Sequence, residues 1–187
     1  MSGVAPDLFD PLVAWRAWEV GPTSDGWRLH SVHMGDPWPT WTPIEAVCRR
    51  NRFVAREAPS HEQHVAPVGS CRCGVYGALQ SDRARQYFVA SWAEPDAAPI
   101  PCLPDGYVPR AIGRVSLWGR VLECEQGYRA SHGYPAHIYL PARRPDGEAY
   151  DVESAALDLL AYGVPVEILD VATRAEIAAA LPYALAA

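Results

Sequence analysis

Lysine is absent from this 187-residue chain, and all sixteen basic side chains are arginine. That excludes chemistry that needs a lysine amine: a P-loop phosphate lysine, a Schiff base with substrate, or an internal aldimine with pyridoxal phosphate. No apolar run approaches the roughly 18 residues of a membrane-spanning helix. The opening MSGVAPDLFDP has neither a basic n-region nor a continuous apolar stretch, so a cytoplasmic protein without membrane attachment is expected. A formal charge of −6 and a pI near 5.5 lack the basic footprint of a general nucleic-acid binder. No G-x-G-x-x-G, G-x-S-x-G or H-E-x-x-H occurs, so dinucleotide, hydrolase-elbow and zincin readings have no motif to stand on. Cysteine numbers only five, an odd count that in a reducing cytosol reads as metal ligands or packed thiols before disulfides.

Against those absences one stretch is dense. Cys48 to Gly77, CRRNRFVAREAPSHEQHVAPVGSCRCGVYG, holds three of the five cysteines and two of the six histidines. Thiolate and neutral imidazole are the ligands that hold Zn²⁺ tetrahedrally, and Cys48, His64, Cys71 and Cys73 supply a Cys₃His set. Fifteen, six and one residues intervene, and Cys71-Arg72-Cys73 is tighter than the usual knuckle of two to four residues. Gly74, directly after a ligand, is free to take a positive φ, and Pro59 and Pro67 stiffen the approaches. His61 is a rival ligand. The same donor set also suits a [2Fe–2S] cluster, the alternative cofactor, and the bland reading is that the thiols are core filler.

HVAPVGSCRCGVYG, His64 to Gly77, resembles the H-x-A-P-x-x-x-C-x-C-G-[IV]-Y-[AG] signature of a bacterial family of small uncharacterised proteins. GRVSLWGRVLECEQGYRA and its continuation to Pro141 are similar to that family's G-x-V-x-L-W-G-x-V-x-E-x-x-x-G-[YW]-R-A pattern, and WRAWEV (15–20) and YGVPV (162–166) fit its two ends. The resemblance implies that Cys48, His64, Cys71 and Cys73 belong together and favours His64 over His61. It implies no activity.

Read in order, VAWRAWEV (13–20) and WRLHSVH (27–33), joined by GPTSDG, predict a β-hairpin. DPWPTWTP (36–43) is too rich in proline for a central strand and is expected as a packed loop, after which Thr42-Pro43-Ile44-Glu45 predicts a capped helical turn carrying Cys48. Arg49, Arg50, Arg52 and Arg56 read first as a solvated charged face. SDRARQYFVASW (81–92) suggests a short helix, and the five prolines between Glu94 and Pro109 a linker in which Cys102 is inert packing. IGRVSLWGRVL (112–122) alternates as a strand, with Gly119 marking a bulge and Trp118 expected inward, and the turn 123–127 leads into a second strand through HIYLP. Cys124 is expected to face the core. Near the end VESAALDLLAYG, VPVEIL and TRAEIAAALPYAL predict helix, strand, helix.

These elements point to an α+β fold of mostly antiparallel strands, a loop-rich metal-site region and a helix-strand-helix C-terminal unit. A single domain, 1–187, is expected, with a Trp-rich metal-site lobe (1–93) and a second lobe (110–187) of strand hairpin and helices. Three function classes follow: a non-enzymatic binding or adaptor protein with structural zinc and a protein partner, a [2Fe–2S] redox protein, and an enzyme built on Glu123, Glu125, Arg129, His132 and His137.

Overall fold

Alternating apolar runs on both sides of a Ser-Asp-Gly turn become the first two strands of one sheet. In the computed structural model, which describes residues 7–32, 36–48, 64–84, 108–143 and 150–170, β1 (Asp7–Thr23) folds back on β2 (Gly26–Ser31) in antiparallel register, Val20 opposite Leu29 and Thr23 opposite Gly26. Side chains are described from Asp10 onward. The predicted hairpin is present. β3 (Ile44–Glu45), β4 (Val75–Ala78), β5 (Arg110–Cys124), β6 (Gly127–Pro141) and β7 (Val166–Leu169) complete the sheet.

Four of the pairings close a circuit: β1 with β5, β5 with β6, β6 with β4 and β4 with β1. A small antiparallel barrel results, extended by β2 at one edge and by β3 and β7 along β6. Two long strands can wrap so small a barrel only by bending. β5 does so at register shifts between Arg114 and Val115 and between Trp118 and Val121, where Gly119 sits at φ 74°. The bulge expected at Gly119 is therefore observed. Pro135, which cannot donate to a ladder, lies beside the first of these shifts on β6.

Inside the barrel, Ala14, Val115, Leu117, Ala130 and Ile138 are fully buried. Gly77 of β4 faces them so closely that a Cβ there would stand 2.6 Å from that of Ala14 and 2.9 Å from Leu117 Cδ1. A second part of the same core lies under α1 (Val152–Leu159) and the 3-10 turn Leu160–Tyr162, where Trp18 meets Trp38 edge to face at 5.6 Å. The Tyr162 hydroxyl donates to the Trp38 carbonyl at 2.8 Å and accepts from the Leu29 N–H at 3.1 Å, so it is satisfied where it is buried. Asp151 caps α1 by accepting from the Ser154 N–H, and Gly163 ends the turn at φ 67°.

Several expectations need correction. The α+β reading does not hold: 54% of the described residues are strand and 13% helical, a sheet-dominated fold. Of the helix-strand-helix unit, α1 and β7 are seen, but β7 is the seventh strand of the same sheet, parallel to β6, and residues 173–185 lie outside the described residues. Strand pairing runs from β1 to β7 and dominates the described residues, whatever the helical propensity of the C-terminal third. Ile44 and Glu45 do not open a helical turn, because they pair with Gly133 and His132 of β6. Tertiary pairing overrides the capping signal there. Trp118 is half-buried and Leu117 fully buried, so the tryptophan faces away from the barrel interior. Alternation fixes that neighbours point oppositely but not which one points in. Only the first turn of the 81–92 helix, residues 81–84, falls among the described residues; His61, Arg49 to Arg56 and Cys102 lie outside them.

Candidate metal centre

β6 carries both halves of the cysteine–histidine cluster. On one stretch of it β3 is held by the two pairs at His132 and Gly133 and by the Ala46 N–H, which donates to the Ser131 carbonyl at 2.7 Å; three residues beyond β3 stands Cys48. The adjoining stretch, Gly127 to Ala130, pairs with β4, which begins two residues after Cys73. A ladder of backbone bonds thus brings residues 25 positions apart in sequence to one place.

Between them the chain from His64 to Gly74 has no regular secondary structure. It is shaped by a cis Ala66–Pro67 peptide, by the Cys71 N–H donating to the Val68 carbonyl at 3.2 Å, and by Gly74 at φ 133°. A Cβ on Gly74 would lie 3.0 Å from that of Arg129 and 3.3 Å from that of Pro67, so the positive φ expected of this glycine comes with a tight fit.

The ligand atoms of Cys48, His64, Cys71 and Cys73 all lie within 4.8 Å of one another. Cys48 Sγ is 3.7 Å from Cys71 Sγ, and His64 Nε2 is 3.2 Å from Cys73 Sγ. Two thiolates on a tetrahedral ion with 2.3 Å bonds stand about 3.8 Å apart, and a thiolate and an imidazole about 3.6 Å, so the cluster has the dimensions of one ion's coordination shell. Cys48 and Cys71 are buried; Cys73 and His64 are half-buried. The four predicted residues are brought together.

Their electrostatics point the same way. Burial opposes ionisation of Cys71, but the Cys73 backbone and the side chains of Cys48, Cys73 and His64 hydrogen-bond to it and bring the thiol down to about 7. At Cys73 burial dominates, and with charge on Cys71 and Cys48 it pushes the thiol up to about 11. The same surroundings thus favour ionisation of Cys71 and oppose that of Cys73. A divalent cation among the sulfurs removes that conflict, because its charge favours every deprotonated ligand at once.

Arg129, close in sequence to the two glutamates and two histidines around the β5–β6 turn, has a different role. From β6 its guanidinium donates to the Cys71 and Cys73 carbonyls, the latter at 3.3 Å, while Nε approaches Cys124 Sγ at 3.4 Å. It braces the backbone on which two ligands sit. The clue available in sequence was only that Arg129 lies between two core-facing residues of an alternating strand. Tyr76 adds a second brace, its hydroxyl donating to the Arg72 carbonyl. Cys124, expected in the core, is instead half-buried beside Arg129.

The remaining members of that group are apart. Glu123 and Glu125 are exposed. His132 stacks on Trp118 and lies 3.7 Å from Glu45, whereas His137 stacks on Tyr139 and lies 2.6 Å from Glu167 of β7. Each histidine has its own carboxylate and its own aromatic neighbour. None of the described helices is long and apolar enough to cross a membrane. No family model, curated protein or solved structure matches this chain.

Proposed function

We propose that this protein is a non-enzymatic binding or adaptor module in which Cys48, His64, Cys71 and Cys73 hold one structural zinc ion. The observation that carries the reading is the convergence of four soft ligand atoms within 4.8 Å. Four protein ligands fill a tetrahedron, leaving no open position for a water or substrate, and so favour a structural ion over a catalytic one. A mononuclear site is preferred to a [2Fe–2S] cluster because ligands on the two different irons of a cluster stand farther apart than the 4.8 Å within which all four ligand atoms lie. Zinc is preferred among single ions because thiolate and imidazole in a four-coordinate set are its usual shell.

In this reading the chain works in the cytoplasm, where thiols stay reduced, and its partner is another protein. The enzyme reading loses support from the separate surroundings of His132 and His137. Metal analysis of protein purified without a histidine tag is the test. One equivalent of zinc is expected. Iron with acid-labile sulfide and visible absorption would replace the reading with a cluster, and protein that is folded yet free of both metals would end it.

A further inference from the structure

A groove of about 290 Å³ lies between the segment leading into β3, the outer face of the barrel and the turn after α1. Trp41, Pro43, Trp118, Tyr134, Tyr162 and Val164 line it, and no charged residue is among its described walls. Trp41 is 75% exposed, a large apolar area to leave in water. It is nevertheless held firmly. Its backbone sits at φ 64°, a left-handed conformation that a bulky residue adopts only under strain. Its N–H donates to the Tyr134 hydroxyl at 2.8 Å, and its ring passes over Gly163, where a Cβ would come within 2.8 Å of the indole. Strain maintained to display an aromatic ring is a feature of ligand sites more than of solvated loops.

The polar side-chain groups of the groove are the two tyrosine hydroxyls, the Thr42 hydroxyl and the two indole N–H groups. Tyr134 spends its hydroxyl hydrogen on the Tyr162 carbonyl at 3.0 Å, and Tyr162 spends its own on Trp38. The indole N–H groups of Trp41 and Trp118 have no acceptor among the described residues, Trp118 being placed by its stack on His132 at 5.9 Å. Aromatic faces and N–H donors are therefore on offer, with no charged residue among the described walls. The complement is an apolar ligand rich in acceptors and poor in donors. A proline-rich segment answers that description: its imide nitrogens carry no hydrogen, its carbonyls project freely, and its polyproline II helix is formed before it binds. A nucleic acid would set phosphates against a chain of charge −6 with no cation in the groove walls.

We infer that this groove binds a proline-rich segment of a partner protein in the polyproline II conformation, with Trp41 and Trp118 as the rings that grip it. The inference rests on the binding-module reading and names the partner's chemistry, but it does not depend on the identity of the metal. Calorimetric titration of the full chain with an oligoproline peptide, and separately with a single-stranded oligonucleotide, tests it. Saturable binding of oligoproline is expected, weakened at least about tenfold by Trp41→Ala, an exposed position where the melting temperature and metal content should stay near those of the parent. Trp118→Ala supplies the second variant if the first is unstable. No oligoproline binding by folded, metal-loaded protein would overturn the inference and leave the zinc reading intact. Equal binding by both folded variants would overturn it by placing the contact elsewhere, as would binding of the oligonucleotide in preference. Oligoproline binding to a chain that carries no metal would support the groove and sink the zinc reading instead.

Discussion

The barrel interior and the cysteine–histidine loop share one strand yet are held together in different ways. β6 sends Ala130 and Ile138 into a core where both are fully buried, while Arg129 reaches out to the carbonyls of Cys71 and Cys73. In the barrel, stabilisation is distributed: each buried aliphatic side chain contributes about 1.5–3 kcal/mol, and the loss of one leaves the rest. From His64 to Gly74 there is little apolar area to bury, since Val65 is 64% exposed and the buried residues there are Ala66, Pro67 and Cys71. Order in the loop has to come from a few strong bonds. A region built on many weak contacts degrades gradually, whereas one built on four ligands fails as a unit.

The largest effect is expected where that contrast is cut outright. Binding free energies of about 10–16 kcal/mol for structural zinc in small fingers match or exceed the 5–15 kcal/mol or so by which whole domains are stable. Cys73→Ser and His64→Ala should therefore lose metal and solubility together, read by metal content and by sedimentation of the expressed protein. His61→Ala and Cys102→Ser should remain metallated and soluble. If Cys73→Ser unfolds no more readily than the parent and keeps its metal, the loop is not held by these ligands.

On the barrel side Leu117→Ala should cost about 2–5 kcal/mol in urea unfolding, with metal stoichiometry unchanged. Trp118→Ala, one residue along, should cost about 1 kcal/mol or less, because its side chain is only half-buried and stands outside the core. Reversal of that order, with the tryptophan costing more, would place Trp118 inward after all and remove it from the groove. Cys48 to Cys73 separation from the core would show as two unfolding transitions on chelation and one without.

The difference between these two residues also marks what was legible in the sequence. Hairpin β1–β2, the Gly119 bulge and the four converging ligands were all readable, because each depends on short-range chemistry: turn residues, a missing Cβ, the ligand preferences of a metal. What escaped was set by pairing between distant segments. That β4 closes a barrel between β1 and β6, that Ile44 and Glu45 join β6 instead of starting a helix, and that Leu117 and not its neighbour points inward all depend on which strand lies alongside. Arg129 was seen as a member of an acid–base group because charged residues near a turn look alike until the loop they brace is in place.

The smallest effect tests the barrel's own exception to apolar burial. Glu19 is 4% exposed on β1, its Oε1 lies 3.7 Å from Arg110 across the strand pair, and its Oε2 has no hydrogen-bond partner among the described residues. Burial raises the carboxyl above its ordinary value, and the attraction of Arg110 offsets this only in part. A carboxyl whose pKa is higher folded than unfolded holds more protons in the folded state between the two values, so stability falls as pH rises through that window and stays lowered above it. The window opens at the unfolded glutamate value of about 4.3. Replacing Glu19 with glutamine removes the charge and keeps the shape. Melting curves of Glu19→Gln and the parent should therefore converge below this pH and separate above it, with the variant the more stable at neutral pH. Were the variant less stable at neutral pH and equal in acid, the Arg110 ion pair would outweigh desolvation, and the barrel would depend on one strong contact much as the loop does.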